Sequence, residues 1–191
     1  MRRLRYRALQ WRAMAQLVLG RQRPAMVLFE QLMREFPGDG YALASQANLQ
    51  AQAGDRPAAL RTMELLLQAH PGVAAHWFNC GFLLEEYGEL QRAESAFRRA
   101  TELSPQLDRA WYGLGLVLIR QGRLDEAAAA LKRNTQLQPM SPYGWYQLAR
   151  VHVDRHEPEE ARTIIRHLQR FEPKVAAQLE RETGLLASRP A

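Results

Sequence analysis

Residues 105–139 read PQLDRAWYGLGLVLIRQGRLDEAAAALKRNTQLQP and contain two stretches with the apolar spacing of an amphipathic helix. The first stretch carries the motif Trp111-x2-Leu114-Gly115-x2-Leu118, and the second carries Ala127-x3-Leu131. Because a proline stands at each end of the segment, where it favours the end of a helix, the segment predicts two short helices joined by a turn.

The same pattern recurs along the chain with a period of 34 residues, which is marked by prolines at positions 37, 71, 105, 139 and 173. A helix pair that cannot bury its own apolar face must stack on a copy of itself. The period therefore predicts an all-α solenoid that forms a single domain over residues 1–191. Its five repeats fall at about 6–39, 40–73, 74–107, 108–141 and 142–175.

The repeats differ in how closely they follow the pattern. The third repeat matches it well, with Trp77-x2-Cys80-Gly81-x2-Leu84 on its first helix. The first and second repeats are loose, because Arg12 and Gln16, and then Gln46 and Gln50, stand at packing positions. We expect a more polar seam between these two repeats than between the later ones.

Two features distinguish the C-terminal part of the chain. In the turn of the fifth repeat, His156 replaces the usual glycine and Pro158 follows it, so we expect a stiffer turn of a different shape. Residues 175–187 predict a single helix that caps the array, and Gly184 weakens the expectation for its last turn. We expect residues 188–191 to be disordered.

The positive charge of the chain is local. Residues 1–23 contain seven arginines and no acidic residue, and removing those seven from 26 basic residues leaves 19 against 20 acidic residues. Of all the basic residues only two are lysines, a bias typical of a GC-rich genome as well as of phosphate recognition. The candidates for contact with an anionic surface are Arg2, Arg3, Arg5, Arg7 and Arg12.

The single cysteine, Cys80, excludes an intramolecular disulfide, and its place in an apolar run predicts a buried core residue. No run reaches the roughly 18 apolar residues of a membrane span. The basic N-terminus fits a secretory signal poorly, because Arg12 interrupts the apolar stretch that should follow it. These features predict a cytoplasmic protein.

The repeats resemble the tetratricopeptide repeat family over residues 6–175, in their period, in the Trp-Leu-Gly spacing, in the small residue of the second helix and in the terminal proline. The resemblance implies a right-handed superhelix of antiparallel helix pairs whose first helices line a concave groove. Proteins of this family usually bind peptides, extended segments or helices, and usually they are not enzymes.

The family's groove positions can be transferred to this sequence one by one. Aromatic side chains interleaved with Arg, Asn and Gln would offer flat apolar surfaces and hydrogen-bond donors to a peptide. The predicted groove residues are Tyr41, Asn48, Gln52, Phe78, Asn79, Phe82, Arg109, Tyr112, Leu116, Arg120, Tyr143, Tyr146, Gln147 and Arg150.

One variant of the family clamps a C-terminal carboxylate with Lys, Asn and Arg at fixed positions. Asn48, Asn79 and Arg109 stand at such positions, but Ala44 and Gly113 replace two of the three cations. We therefore do not expect the clamp.

No phosphate-binding glycine loop, paired-cysteine motif or Gly-x-Ser-x-Gly elbow is present, so we expect neither an enzyme nor a bound cofactor. His152 and His156 lie one helical turn apart near Asp154, a spacing that could provide metal ligands. His152 falls at a packing position and His156 falls in a turn, so a metal site is not expected either. The acidic residues 157, 159 and 160 read as the start of a helix.

The repeat array favours a protein-interaction scaffold or adaptor in a bacterial-type cytoplasm, with a protein or peptide as partner. The alternative is nucleic-acid or anionic-membrane association through the arginine-rich first helix, which we do not expect to be the main role. Because the C-terminal helix covers one end of the array, we expect a monomer or a weak dimer.

Overall fold

The computed structural model describes residues 1–186, and within them the chain forms helices and no strand. The helices are α1 Arg2–Val18, α2 Gln22–Glu35, α3 Gly40–Gln52, α4 Arg56–Ala69, α5 Ala74–Glu86, α6 Leu90–Leu103, α7 Asp108–Arg120, α8 Leu124–Leu137, α9 Pro142–Asp154, α10 Pro158–Gln169 and α11 Pro173–Thr183. We call α1, α3, α5, α7 and α9 the first helices, and α2, α4, α6, α8 and α10 the second helices.

The 34-residue period predicted from the sequence is confirmed by the helix starts. Four first helices begin at residues 40, 74, 108 and 142, and the five second helices begin at residues 22, 56, 90, 124 and 158. The exception is α1, which begins at Arg2, four residues before the position that the period assigns to it. The chain is therefore an all-α helical repeat protein.

The prolines that mark the period have a second role besides ending helices. The second helices α4, α6 and α8 each end two residues before a proline. The backbone oxygen of that proline accepts a hydrogen bond from the indole N–H of the tryptophan six residues later. The donor–acceptor distances are 2.8 Å for Trp77 and Pro71, 3.0 Å for Trp111 and Pro105, and 2.9 Å for Trp145 and Pro139. The fixed spacing of proline and tryptophan thus satisfies the one polar group of each indole ring.

The turn of the fifth repeat has the same shape as the others, so the expectation of a different turn is wrong. His156 adopts a φ of 60°, close to the values of 69° to 78° at Gly20, Gly54, Gly88 and Gly122. The backbone hydrogen bonds also match, since Glu157 N–H donates to the oxygen of His152 as Arg123 N–H does to that of Leu118. The packing of the two helices requires this turn conformation, even where the residue with positive φ is not glycine. Pro158 fits because it is the first residue of α10, where no N–H is needed.

The C-terminal helix is present, but its bounds differ from the predicted 175–187. It begins at Pro173 because proline is well suited to the first helical position. It ends at Thr183 because Gly184 takes a φ of 70°, which stops the helix. Ala176 and Leu179 are fully buried, and α11 packs against both α9 and α10. Residue 187 and the predicted disordered segment 188–191 lie outside the described residues.

The contacts divide the chain into two compact units, residues 1–83 and residues 84 onward. In the first unit, the core between α1, α2 and α3 is formed by buried residues of all three helices: Leu9, Ala13, Ala25, Phe29, Leu32, Ala42 and Leu49. Gln46 is 1% exposed and lies in the predicted polar seam, where its Nε2 donates to Glu30 Oε1 of α2 at 3.4 Å. Gln50 instead accepts a hydrogen bond from Thr62 of α4, at 2.8 Å.

In the second unit the helices approach closely because small residues stand at the crossing points. A Cβ at Gly115 of α7 would lie 2.7 Å from Leu131 Cγ of α8, so only glycine fits there. Buried Asn134 of α8 donates to the backbone oxygen of Asp108 at 2.9 Å and lies against Gly144 of α9. One polar side chain therefore joins three consecutive helices.

Two smaller predictions concern single residues and the membrane. Cys80 is buried, as its place in an apolar run predicted. Over residues 1–186, none of the helices is long and apolar enough to span a membrane.

Candidate functional site

The first helices α7 and α9 contact each other in the second unit and carry most of the predicted groove residues. Tyr112 of α7 is half-buried, and Gln147 of α9 is its hydrogen-bonding neighbour. Burial raises the pKa of the Tyr112 phenol, while the Gln147 hydrogen bond opposes this and nearby Tyr143 adds to it. Tyr143 is itself 70% exposed. The structure therefore brings three of the predicted residues together on adjacent helices.

Tyr146 and Arg150 lie one turn apart on α9 and meet the C-terminal helix. The Tyr146 hydroxyl donates to Glu182 Oε2 of α11 at 2.6 Å, and the Arg150 guanidinium lies 5.9 Å from the centre of the Tyr146 ring. The hydrogen bond to Glu182 is the main cause that raises the pKa of Tyr146, and it lowers the pKa of Glu182. The last turn of α11 thus covers part of the predicted surface with a carboxylate.

The remaining predicted residues of α7 differ in their surroundings. Arg109 is exposed at the first turn, and Leu116 is half-buried. Arg120, at the last turn, donates to the backbone oxygen of Glu85 at 3.1 Å and forms an ion pair with the Glu85 carboxylate. Arg120 is therefore held by the end of α5, and its charge is already neutralised.

Gly113 occupies a position that the family resemblance places on the groove. A Cβ there would lie 2.6 Å from the ring of Phe97 on α6. This position of a first helix consequently faces the preceding second helix, and it is a packing position in α7.

In the first unit the predicted residues lie on α3 and on the part of α5 up to residue 83. Tyr41 is 38% exposed and contacts Phe29 edge to face, with 5.9 Å between ring centres. Gln52 accepts a hydrogen bond from Gln22 of α2 at 2.9 Å. Phe82 is 51% exposed. The others are exposed or, for the phenylalanine, half-buried: Asn48, Asn79 and Phe78.

The arginine-rich first helix keeps its charges at the surface, since Arg2, Arg3, Arg5, Arg7 and Arg12 are all exposed. Two of them contact the end of α2. Arg5 forms an ion pair of 2.7 Å with Glu35, and Arg2 lies 5.6 Å from the centre of the Phe36 ring. The structure therefore brings part of the cluster together at one end of α1.

The histidines considered as metal ligands have other surroundings. His152 Nδ1 lies 2.7 Å from Glu157 Oε2, and His156 is exposed in the turn. Within residues 1–186, no three His, Cys, Asp or Glu side chains are placed to hold a metal ion together. Glu159 and Glu160 stand in the first turn of α10.

Sequence reasoning missed the contact between Tyr146 and Glu182. The distance in sequence between the two residues gives no signal for it, because the contact depends on how α11 folds back along α9. The ion pair between Arg120 and Glu85 was missed for the same reason. Both residues of that pair stand at the ends of first helices, and they are separated by one period plus one residue. This spacing could have predicted the ion pair.

Comparison with known proteins supports the repeat architecture. Two sequence models described as tetratricopeptide repeat match the chain, one over residues 44–108 and 83–142 and the other over residues 7–39. No curated protein matches the sequence.

Several solved structures are similar in fold. A fragment of MamA from Desulfovibrio magneticus is 19% identical, with a TM-score of 0.76 over 93% of this chain and 96% of that one. YrrB, described as a TPR protein with an unusual peptide-binding site, is 18% identical, with a TM-score of 0.75 over 88% of each chain. PilF from Pseudomonas aeruginosa is 19% identical, with a TM-score of 0.75 over 95% of this chain and 91% of that one.

At these identities the solved structures establish the fold and not a shared activity. The sequence models cover more than half of the chain, and the helix starts repeat with the same period as the tryptophan and proline positions. On this evidence the chain belongs to the tetratricopeptide repeat family.

Proposed function

We propose that this protein is an adaptor that binds a peptide or a helix of a partner protein on the exposed surface of its first helices. The tetratricopeptide repeat fold supports protein–protein interaction in general. The observation that carries the more specific proposal is the cluster on α7 and α9, where half-buried Tyr112 lies near exposed Tyr143 and half-buried Tyr146 lies near Arg150.

The chemistry of this cluster suits a peptide. The tyrosine rings offer apolar area with few rotatable bonds, and Gln147 and Arg150 offer N–H donors to carbonyl and carboxylate oxygens. Large aromatic and arginine side chains dominate binding at many interfaces, where truncation typically costs about 2 kcal/mol or more. YrrB, a similar fold, is described as having a peptide-binding site, which adds to the case.

The test is affinity capture from the source cell with wild type beside a surface variant. Tyr112→Ala with Arg150→Ala should abolish capture of the specific partner, because it removes one anchor from each helix. Tyr112 is half-buried and contributes to packing, so Tyr143→Ala with Arg150→Ala serves as a second variant that changes exposed side chains only. Circular dichroism should give unchanged helicity for the second variant. If both variants capture every partner that wild type captures, this surface is not the binding site.

The alternative function is association of the arginine-rich helix α1 with nucleic acid or an anionic membrane, which the exposure of its arginines favours. Salt separates the two functions, because binding to phosphates weakens steeply as salt rises. Capture that persists at several hundred millimolar salt would favour the adaptor. Capture lost between about 50 and 200 mM salt would favour the alternative.

We further infer that the protein has no catalytic activity of its own, as is general in this family. Turnover by the purified protein alone would contradict that inference. A cytoplasmic location is also part of the proposal, and cell fractionation tests it.

A further inference from the structure

The outward face of α1 carries an apolar stripe that no helix of the described chain covers. Its members recur at alternating spacings of three and four residues, which places them on one side of a helix. All are exposed, Trp11 by 70% and Val18 by 86%. The buried residues Leu9 and Ala13 point to the opposite side, toward α2. The stripe consists of Met1, Leu4, Ala8, Trp11, Ala15 and Val18.

The repeat itself indicates what would cover this stripe. Trp11 corresponds, three periods later, to Gly113 of α7, which faces the Phe97 ring of α6. Ala8 corresponds, four periods later, to Gly144 of α9, which faces Asn134 of α8. On later first helices this side is therefore packed against the preceding second helix. The stripe therefore lies on the side of a first helix that receives a second helix elsewhere in the chain.

The charge around the stripe indicates which kind of helix would cover it. Arg3 and Arg7 lie along one edge of the stripe, and Arg5 and Arg12 lie along the other, because residues four or seven apart lie on the same side of a helix. Of these four, Arg5 is paired with Glu35. In the described part of the chain, no carboxylate pairs with the other three. A covering helix with acidic edges would neutralise them.

A contact within the chain shows the same pairing. Arg12 corresponds, one period later, to Gln46 of α3, whose side-chain amide contacts the carboxylate of Glu30 on the preceding second helix α2. A long hydrogen-bond donor at this position thus meets an acid on the covering helix. A second copy of α1 cannot provide one, since residues 1–29 contain no acidic residue.

We propose that the outer stripe of α1 docks an acidic amphipathic helix of a partner protein, in the position that α6 takes on α7. This site is separate from the surface on α7 and α9, so a partner could use it independently.

The probe is an 18-residue peptide made from residues 88–105, which contain α6. This segment has three arginines and three glutamates. All versions carry Phe97→Ala, because Trp11 stands where Gly113 leaves room for the Phe97 ring. The acidic version adds Arg92→Glu, Arg98→Glu and Arg99→Glu, and the basic version instead adds Glu89→Lys, Glu94→Lys and Glu102→Lys. The versions share one apolar face and differ in charge.

Binding is measured by fluorescence anisotropy of the labelled peptide with the full chain at 0.1 M salt. We expect the acidic peptide to bind at least tenfold more tightly than the basic one. Trp11→Ala should weaken its binding more than tenfold, and Arg7→Glu with Arg12→Glu should reverse the preference. The charge-matched control, Arg61→Glu with Arg170→Glu, and Met140→Ala, at an exposed apolar residue outside both proposed sites, should bind like wild type.

Three results would overturn the proposal. The first is that the acidic peptide does not bind at 1 mM, or that it binds no better than the basic one. The second is that vesicles of phosphatidylglycerol bind through Trp11 while the peptide does not, which would assign the stripe to a membrane. The third is a dimer at 0.1 M salt that Trp11→Ala dissociates, which would assign it to a second copy. Every variant changes only exposed positions, so we expect each of them to fold. Unchanged thermal melting would confirm this.

Discussion

At His156 the chain places a side chain in the left-handed backbone conformation that four glycines adopt in the other turns. This conformation costs a residue with a Cβ about 1–2 kcal/mol. Glycine avoids that cost but loses more chain entropy on folding, by roughly 0.5–1 kcal/mol. We therefore expect His156→Gly to stabilise the protein by about 0.5–1 kcal/mol, which raises Tm by roughly 2 °C in a chain of this size. Thermal unfolding followed by circular dichroism measures the change.

The reciprocal variant is Gly122→Ala, at a φ of 73° with no atom within 4 Å of the added Cβ. Its cost is conformational and is reduced by the same difference in chain entropy, so we expect a loss of about 0.5–1 kcal/mol without any steric clash. Equal stability of both variants and wild type would show that these turns carry no strain.

A substitution at Gly115 tests the close approach of α7 and α8. A Cβ at this position would lie 2.7 Å from Leu131, in the core of the pair, where neither helix can move without disturbing the next one. We expect Gly115→Val to cost about 3 kcal/mol, at the upper end for overpacking. Urea denaturation gives the free energy of unfolding. Gly72→Ala is the matched control, because no atom lies within 4 Å of its added Cβ and its backbone is not left-handed. A Gly115 variant as stable as this control would contradict the packing argument.

Single residues also show how far the sequence alone could predict the structure. The glycine and tryptophan positions were predictable, because each has one physical requirement that recurs with the period. The left-handed backbone of His156 was not predictable, since a residue with a side chain disfavours the conformation that the packing of the helix pair requires. The surroundings of Tyr146 were not predictable either, because they depend on the path of α11.

At the scale of elements, four charged side chains join α6 to the start of α8. Arg123 contacts Glu94 and Glu126, and Arg98 contacts the same two carboxylates. Burial acts to raise the pKa of Glu94, but hydrogen bonds from the arginines outweigh it, and its pKa lies below the ordinary value. Hydrogen bonds from Arg123 and Arg98 lower the pKa of Glu126 as well.

A carboxylate whose pKa is lowered in the folded state stabilises that state at pH values above its unfolded pKa, near 4.3. The stabilisation is lost as the pH falls through the folded pKa. Arg123→Gln should therefore lower Tm at pH 7 by a few degrees, about 2–4 °C for each kcal/mol lost. The difference from wild type should shrink below about pH 4, where the glutamates are protonated. Calorimetry at pH 7 and pH 3 tests this, with Arg61→Gln as a control. A constant difference at both pH values would mean that the arginine acts through packing.

The C-terminal helix α11 covers the last helix pair with buried Ala176 and Leu179. Deletion of residues 176–191 should leave apolar surface of α9 and α10 in water and lead to oligomers or aggregation. Light scattering and thermal melting follow this. Leu179→Glu should have a similar effect, whereas Lys174→Glu, at an exposed position of the same helix, should have none. A deleted protein that stays monomeric and equally stable would show that α11 is not a cap.

The exposure of single residues on one helix could be predicted from the sequence, whereas contacts that depend on two helices could not, and the binding site itself stays a prediction. The family resemblance places Tyr143 and Phe82 on the groove, and both side chains are exposed. It also places Gly113 on the same surface, but that position faces Phe97, because the tilt between neighbouring helices decides which edge is covered. Such tilts are set by side-chain packing, and the spacing of residues in the sequence does not predict them.

At the scale of the whole molecule, charge and apolar surface are combined at the N-terminal end. The formal net charge is +6, and the seven arginines of residues 1–23 account for more than all of it. The exposed stripe on α1 would favour pairing of two molecules, while the arginines along its edges oppose it. Repulsion between exposed charges extends over about 10 Å at 0.1 M salt and only about 3 Å at 1 M.

Self-association should therefore increase with salt, in contrast to binding of an anionic partner. We expect sedimentation equilibrium to give the monomer mass of 21.9 kDa at 0.1 M salt and a weak dimer at 1 M. Apolar burial drives this dimer, so Trp11→Ser should keep the protein monomeric at both salt concentrations. Tyr143→Ser, an equally exposed aromatic on another helix, should leave the dimer intact. A dimer that forms at low salt and dissociates at high salt would mean that complementary charges hold it together, and the arginines of α1 would then have an acidic partner within the second molecule.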